Sequence, residues 1–288
     1  MIDLHVHSTA SDGTLSPTEL AEKGRGFSVL ALTDHDNTDG VDEFLSASVS
    51  SAGLRLPGIE LSVMPGEGYR RFHLLGLGFD PDNAPLKAFL RRILDGRNAR
   101  NVRMVENFAR IGIAIPPEDL ARYAHGEVLA RPHFAAWLVD HGYAPDVSTA
   151  FATYLTADSP PETRCYETRY RPDPGEAFDL IHAAHGVAIM AHPRFWTSDP
   201  ILLRTGLRRL KERGLDGIEA IYQANQPGEC IEHLRAAREL DLAVTAGSDF
   251  HGANKPNITL GMSVDDEASF LAPFFAALSR YGSAYPVL

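Results

Sequence analysis

The sequence predicts an α/β fold of the barrel kind, and three observations carry that expectation. About seven short apolar runs alternate with amphipathic stretches, the pattern of βαβ units and a parallel sheet. Nearly every His, Asp and Glu that could do chemistry falls at the C-terminal end of one of those runs, the rim where (β/α) barrels build their sites. A stretch of purely helical pattern, residues 82–163, interrupts the alternation and reads as an inserted helical subdomain, because the strand–helix rhythm resumes after it.

The first run, Met1-Ile2-Asp3-Leu4-His5-Val6-His7, places Ile2, Leu4 and Val6 on one face of a strand and Asp3, His5 and His7 on the other. Side chains two apart on a strand point the same way at a backbone spacing of about 6.6–7 Å, which suits two imidazoles converging on one metal ion. The next turn, Ser8 to Thr14, brings Asp12 back toward the strand end. Ser16-Pro17-Thr18-Glu19 opens a helix, with Ser16 as N-cap and Glu19 closing a capping box, and Gly24 and Gly26 end it. Val29–Thr33 is a buried strand finishing in Asp34-His35-Asp36. A helix over about 40–52 follows, then the strand Arg55–Val63 with Glu60, then 69–79, an apolar run that His73 interrupts.

The helical block reads as Leu86–Ile111, 117–124, Arg131–His141 and Asp146–Leu155. Leu86, Phe89, Leu90, Ile93, Leu94, Val102, Val105 and Phe108 make one stripe at helical spacing. Lys87, Arg91, Arg92, Arg97, Arg100 and Arg103 are expected on the solvated face of that helix, with a lip that steers anionic substrate as the sharper alternative. The alternation then resumes with helix Pro174–His185 and strand Val187–Ala191, ending in His192-Pro193-Arg194. Helix Leu202–Arg213, strand Gly217–Tyr222 and helix Glu229–Leu240 come next. Strand Ala243–Ala246 ends in Gly247-Ser248-Asp249-Phe250-His251-Gly252, and the last helix covers Phe270–Ser279. The barrel parts are therefore 1–81 and 164–288, with 82–163 capping the site.

The 288 residues suffice for one large barrel, and 44% hydrophobic with 23% charged residues is ordinary globular composition. A formal charge of −11 argues against coating long nucleic acid, whose phosphates would be repelled at long range. It leaves room for a small phosphorylated ligand held by local metals and arginines. Cys165 and Cys230 stand far apart in no metal or disulfide pattern. With neither a leader nor a membrane-length apolar run, a soluble cytoplasmic protein is expected.

His5, His7, Asp12, His35, Glu60, His73, His192, Asp249 and His251 are the candidate ligands. Six imidazoles and three carboxylates exceed what one ion needs; with one bridging carboxylate they would serve three ions and leave positions for water and substrate. Nitrogen and oxygen donors without thiolate suit Mn²⁺, Fe²⁺ or Zn²⁺. Asp34 and Asp36 read as groups that orient His35 or nearby backbone rather than as ligands. His125, His141, His182, His185 and His233 read as surface or core histidines, and Trp137 and Trp196 as packing residues, with Phe195-Trp196 beside Arg194 as a lesser alternative surface for stacking a nucleobase.

His5-x-His7 with Ser11-Asp12-Gly13, Thr33-Asp34-His35-Asp36, Gly58-x-Glu60, His73, Ala191-His192-Pro193 and Gly247-Ser248-Asp249-Phe250-His251 resemble, in this order, the PHP (polymerase and histidinol phosphatase) phosphoesterases. The helical insertion resembles that of the nucleotide and sugar-phosphate phosphatase branch. The resemblance implies a distorted (β/α)7 barrel and three divalent ions. Carried over by position, His5, His7, Glu60 and Asp249 would hold one ion; Glu60, His73 and His192 the second, with Glu60 bridging; Asp12, His35 and His251 the third.

Three divalent ions against three carboxylates leave an excess of about three positive charges, enough to draw in a phosphate dianion. A metal-bound hydroxide is then the expected nucleophile, since coordination lowers the pKa of water toward about 7, with Asp249 or His251 handling protons. Arg131 and Arg194, with His133 and Lys255 as weaker candidates, are expected to bind phosphate. The expected substrate is a small nucleotide or sugar phosphate, such as the 3′-phosphate of a 3′,5′-bisphosphonucleotide, with short RNA 5′ ends included. A phosphorylated pentose cyclic phosphate, opened and hydrolysed stepwise, competes with it. Acyl-bond hydrolysis by a bridged metal pair is more distant, disfavoured by the arginines and the lack of a lysine at a strand end. A non-catalytic metal module is disfavoured by the complete ligand set.

Overall fold

The computed structural model describes residues 1–49, 53–64, 70–123 and 129–285. The expected residues Ala52, Tyr69, Ala124 and His125 lie outside the described residues. Strand β1 (Ile2–Val6) leads through α1 (Pro17–Lys23) to β2 (Val29–Leu32), and through α2 (Val41–Ser46) to β3 (Leu54–Val63) and β4 (Phe72–Leu77). The anticipated capping box starts α1: the Glu19 amide donates to Ser16 Oγ at 3.2 Å, and Glu19 Oε2 accepts from the Ser16 amide at 2.7 Å. The helical block holds α3 (Ala84–Arg110), α4 (Pro117–Ala121), α5 (Arg131–Asp140), α6 (Val147–Ala150) and a π-helical turn at Phe151–Leu155. Then follow α7 (Pro174–Ala183), β5 (Val187–Met190), α8 (Pro200–Glu212), β6 (Gly217–Tyr222), α9 (Pro227–Leu240), β7 (Ala243–Gly247) and α10 (Glu267–Arg280).

The seven strands lie side by side in chain order. The ring nearly closes where the segment after β7 meets β1: the His7 amide donates to the Phe250 carbonyl at 2.9 Å and the Asp249 amide to the His5 carbonyl at 2.8 Å. The architecture is the distorted (β/α)7 barrel that the motifs imply. One expectation needs correcting, because the sheet is not parallel throughout. β4 runs antiparallel to both β3 and β5. Parallel neighbours need a crossover of a dozen or more residues, and only 64–71 separate β3 from β4.

Helices pack around the ring. Ile59, Leu61 and Val63 of β3 join Ala188 and Met190 of β5 in a core shared with α7, α8 and α9, and α10 covers Ile2, Leu75 and Ala246 with Leu271, Phe274 and Phe275. The long helix α3 links two cores. Its first half gives Leu86, Phe89, Leu90 and Ile93 to the barrel, its second half Met104 and Phe108 to a core with Phe134, Trp137 and Leu155 of the helical block. Between them the buried stripe runs through Arg97 and Arg100, not Leu94 and Val102; Val102 is exposed. The solvated-face expectation therefore holds for Lys87, Arg91, Arg92 and Arg103 and fails for Arg97 and Arg100. Among the described residues no helix is long and apolar enough to cross a membrane.

Away from the rim, Asp216 ties four elements together. It accepts from the Ala188 amide (2.9 Å), Tyr281 Oη (3.0 Å) and Arg280 (3.2 Å), and lies 2.8 Å from His182 Nε2. Asp216→Ala strands the buried Ala188 amide and leaves the half-buried His182 and Tyr281 without this partner, and is expected to lower stability by about 2–4 kcal/mol. A lower urea midpoint at unchanged m-value checks this.

Candidate metal centre

The site grows from the alternation of β1. Leu4 and Val6 point into apolar cores, so His5 and His7 turn together to the opposite face, with ring centroids 5.2 Å apart and no solvent exposure. Glu60, also fully buried, rises between them from β3. Its Oε2 lies 3.4 Å from His5 Nε2, 3.2 Å from His7 Nε2 and 2.9 Å from His35 Nδ1. Its Oε1 lies 2.7 Å from His73 Nδ1 and 2.9 Å from His192 Nε2. One carboxylate thus meets five imidazoles from four segments of chain. On one side Asp249 Oδ1 stands 3.4 Å from His7 Nε2 and 3.7 Å from His5 Nε2. On the other, Asp12 stands 3.3 Å from His251 Nε2 and 3.8 Å from His35 Nε2.

Among the described residues three groups place donor atoms close enough to share an ion: His5, His7, Glu60 and Asp249; His35, Glu60 and His73; His7, Asp12, His35 and His251. His192 joins the second through its contact with Glu60. All nine sequence candidates therefore come together.

Several residues hold this arrangement in place. Asp34 accepts from the Ser8 amide (2.8 Å), Ser8 Oγ (2.6 Å) and Ser11 Oγ (2.5 Å), pinning the turn that carries Asp12. Gly13 lets that turn fold back, since a Cβ there would sit 2.1 Å from the His7 carbonyl oxygen. Asp3 accepts from the Ser248 amide (2.9 Å) and Ser248 Oγ (2.6 Å), fixing the residue before Asp249. Burial pushes the Asp3 pKa up to about 6, against the pull of those donors. His192 and Asp249 both adopt left-handed backbone, at φ 29° and 60°, strain of a kind that gathers at functional sites.

Glu219 escaped the sequence reading. It is fully buried on β6, with Oε1 3.0 Å from His5 Nδ1 and Oε2 accepting from the His192 amide at 2.7 Å. A carboxylate on Nδ1 turns Nε2 toward the cluster and raises its basicity. The signal was a lone acid inside the apolar run Gly-Ile-Glu-Ala-Ile-Tyr.

The charges show what the cluster lacks. Burial opposes ionisation of Glu60, yet His73, His35 and His5 hold its pKa well below the usual carboxylate range. Asp12 and Asp249 are held down likewise, against burial, by His35 and His251 in one case and His5 and His7 in the other. Conversely, burial disfavours charge on His5, but Glu219, Glu60 and Asp249 keep its pKa well above the usual value, and His7 reaches about 9 beside Asp249 and Glu60. Protons held on His5 and His7 thus balance the charge of the ionised carboxylates. His5 Nε2, His7 Nε2 and Glu60 Oε2 are buried without a hydrogen-bond partner, and together with the all-nitrogen-and-oxygen donor set they fit divalent cations, which displace such protons on binding.

Beside the cluster lies a cavity of ≈ 330 Å³ whose wall includes Asp12, His35 and His73. Arg71, Arg97, Arg100, Arg131, Arg169 and Arg171 line it. Arg97 and Arg169 both pair with Asp36, the latter at 2.6 Å. Burial, then the positive charges of Arg97 and Arg169, pushes the Arg100 pKa down to about 8, and burial also lowers that of Arg131. Such crowding of cations is relieved when an anion enters.

Arg131 thus stands where the sequence reading put it, at the start of α5 and on the cavity wall. The other three expected phosphate contacts, Arg194, His133 and Lys255, are absent from the wall of this cavity. Arg194 donates to the Ala224 carbonyl and faces Glu229, His133 Nδ1 accepts the Ala130 amide at 3.1 Å, and Lys255 donates to Asp249 Oδ2 at 2.6 Å. Each has a protein partner that sequence spacing does not reveal. Neither Asp34 nor Asp36 joins a ligand group, in keeping with the orienting role expected of them.

Residues 3–109 match the family model described as the PHP domain. A 3′,5′-nucleoside bisphosphate phosphatase from Chromobacterium violaceum is 33% identical over 267 residues, covering 92% of this chain and 92% of that protein. A 5′-3′ exoribonuclease from Haemophilus influenzae is 35% identical over 252 residues, covering 86% of this chain and 89% of that protein. Among solved structures, an amidohydrolase from Chromobacterium violaceum with bound sulfate and no metal matches with a TM-score of 0.80 at 33% identity, covering 92% of this chain and 91% of that one.

A barrel rim of buried His, Asp and Glu beside a cationic cavity defines a metal-dependent hydrolase of phosphate esters. The chain belongs to the PHP domain family, as a metal-dependent phosphoesterase.

Loss of a group that orients a ligand histidine weakens metal binding about 10–100-fold. Glu219→Gln is expected to do so in Mn²⁺ titrations, while His185→Ala, an exposed histidine whose Nδ1 lies 2.7 Å from the Tyr281 carbonyl, leaves the affinity unchanged.

Proposed function

We propose that the chain removes the 3′-phosphate of 3′,5′-bisphosphonucleotides and acts on short RNA from its 5′ end by the same bond cleavage. One observation carries the reading: the arginine cavity and the metal cluster share the wall formed by Asp12, His35 and His73. A substrate with two phosphates can lodge one among the arginines while the other meets the cluster. The relatives named as a bisphosphate phosphatase and an exoribonuclease support this choice. A single acyl bond would have no use for so many guanidinium groups around one cavity.

Three divalent ions, Mn²⁺, Fe²⁺ or Zn²⁺, fit the donors. His5, His7, Glu60 and Asp249 would hold one, Glu60, His73 and His192 a second, and Asp12, His35 and His251 a third. When bound, they supply charge neutralisation at the phosphoryl oxygens and a lowered pKa for water. Arg100, Arg131, Arg71 and Arg171 take the anchoring phosphate, while Asp36 holds Arg97 and Arg169 in place. Proton handling is assigned to Asp249 and His251. Tyr222 Oη at 3.2 Å and Lys255 Nζ at 2.6 Å donate to Asp249 Oδ2, so that carboxylate stays anionic with Oδ1 facing the cluster. Burial, then His7, lowers the His251 pKa and keeps its imidazole neutral. Residues 82–163 act as the cap, since they contribute Arg97, Arg100 and Arg131 to the cavity.

Charge-assisted hydrogen bonds to a phosphate contribute about 1.5–3 kcal/mol. Arg131→Ala is therefore expected to raise KM for a 3′,5′-bisphosphonucleotide about 10–100-fold, with little change for a nucleoside 3′-monophosphate, as read by phosphate release. Equal losses on both substrates contradict the anchor. Release that persists after exhaustive chelation contradicts metal dependence, and turnover of a pentose cyclic phosphate in preference to bisphosphonucleotides replaces the proposed substrate.

A further inference from the structure

Phe195 belongs to a short 3₁₀ turn, Pro193–Phe195, directly after His192, and its side chain is 62% exposed. A lone exposed apolar residue says little; the surroundings of this one say more. Its ring stands edge-on to His192 with centroids 5.2 Å apart and edge-on to Tyr222 at 5.9 Å. The Arg194 guanidinium, held by the Ala224 carbonyl and Glu229, lies over the ring at 5.5 Å. These contacts fix the ring's orientation although water reaches more than half of it.

Phe195 also ends a file of rings. His35 and His73 are 5.4 Å apart, His73 and His192 5.2 Å, His192 and Phe195 5.2 Å. The His35–His73 end borders the arginine cavity; His192 and Phe195 are absent from its wall. A substrate anchored by its 5′-phosphate in the cavity, with its reacting phosphorus at the cluster, continues past His192 toward Phe195 if it is longer than one nucleotide. Resting on the function proposed above, we infer that Phe195 is the stacking platform for the base of the second nucleotide of a 5′-phosphorylated oligonucleotide. Trp196, expected as the lesser alternative partner in such stacking, is instead buried in the barrel core.

The same bond breaks in both reactions. The oxygen of water bonds to phosphorus as the 3′-oxygen–phosphorus bond breaks; the electron pair stays on the 3′-oxygen, which takes up a proton. A bisphosphonucleotide yields a nucleoside 5′-monophosphate and inorganic phosphate. An oligonucleotide yields the same monophosphate and a chain one nucleotide shorter with a new 5′-phosphate. Only the oligonucleotide carries a base beyond the reacting phosphorus, so only it engages Phe195.

The test compares kcat/KM for a 5′-phosphorylated RNA tetranucleotide and for a 3′,5′-bisphosphonucleotide in the wild type, Phe195→Ala and Phe195→Trp. A second tetranucleotide lacks the base at its second position. Stacking of a base on an aromatic side chain supports a change on the order of 10-fold or more. Phe195→Ala is expected to lower the ratio of tetranucleotide to bisphosphonucleotide kcat/KM by that factor, chiefly through KM, and Phe195→Trp to restore it. The abasic substrate loses the same factor with the wild type and no longer distinguishes the variants. An unchanged ratio, or equal losses on both substrates, overturns the platform. A wild type that hydrolyses the bisphosphonucleotide but not the tetranucleotide overturns it together with the RNA half of the proposed function, leaving the bisphosphonucleotide phosphatase standing; inertness toward both overturns all three.

Discussion

Everything on the rim depends on one buried carboxylate. Glu60 has no solvent exposure and meets five imidazoles within 3.4 Å. An unbalanced charge in such a place is strongly unfavourable. The positive charge needed comes either from protons on the histidines or from cations, and Glu60 Oε2 with the Nε2 atoms of His5 and His7 is left without a hydrogen-bond partner. The cluster is arranged for ligation rather than for its own hydrogen bonding.

The barrel's irregularity follows from the same demand. Antiparallel pairing of β3 with β4 sets Ser62 opposite His73 and Glu60 opposite Leu75, so His73 is the diagonal neighbour of Glu60 on one face of the sheet. A parallel β4 entered through a crossover would arrive from the opposite end, and His73 would need a different place in the sequence. The helical block has a related role. Its long helix begins in the barrel core and carries Arg97 and Arg100 inward at positions where an apolar stripe would otherwise continue. Two guanidinium groups are thereby buried beside the cluster instead of solvated.

Much of this could be read from the residues alone. The alternation in Ile2-Asp3-Leu4-His5-Val6-His7 announces a strand with a chemical face, and most ligand candidates sit at or just after the end of an apolar run. The reading failed where the answer depends on distant partners. Helical periodicity set Arg97 and Arg100 on a solvated face because it cannot see Asp36 or the cavity that receives them. Proximity to motifs likewise cannot reveal that Arg194 faces Glu229, that His133 accepts the Ala130 amide or that Lys255 donates to Asp249. Glu219 went unnoticed because its partners, His5 and the His192 amide, lie far away in the chain.

The central claim is that Glu60 bridges two members of a three-ion centre. Anomalous scattering from crystals grown with saturating Mn²⁺ tests it most directly. The account predicts three peaks on the rim, two of them ligated by the Glu60 carboxylate and the third beside Asp12, His35 and His251. A single peak, or peaks that leave Glu60 unligated, would contradict it.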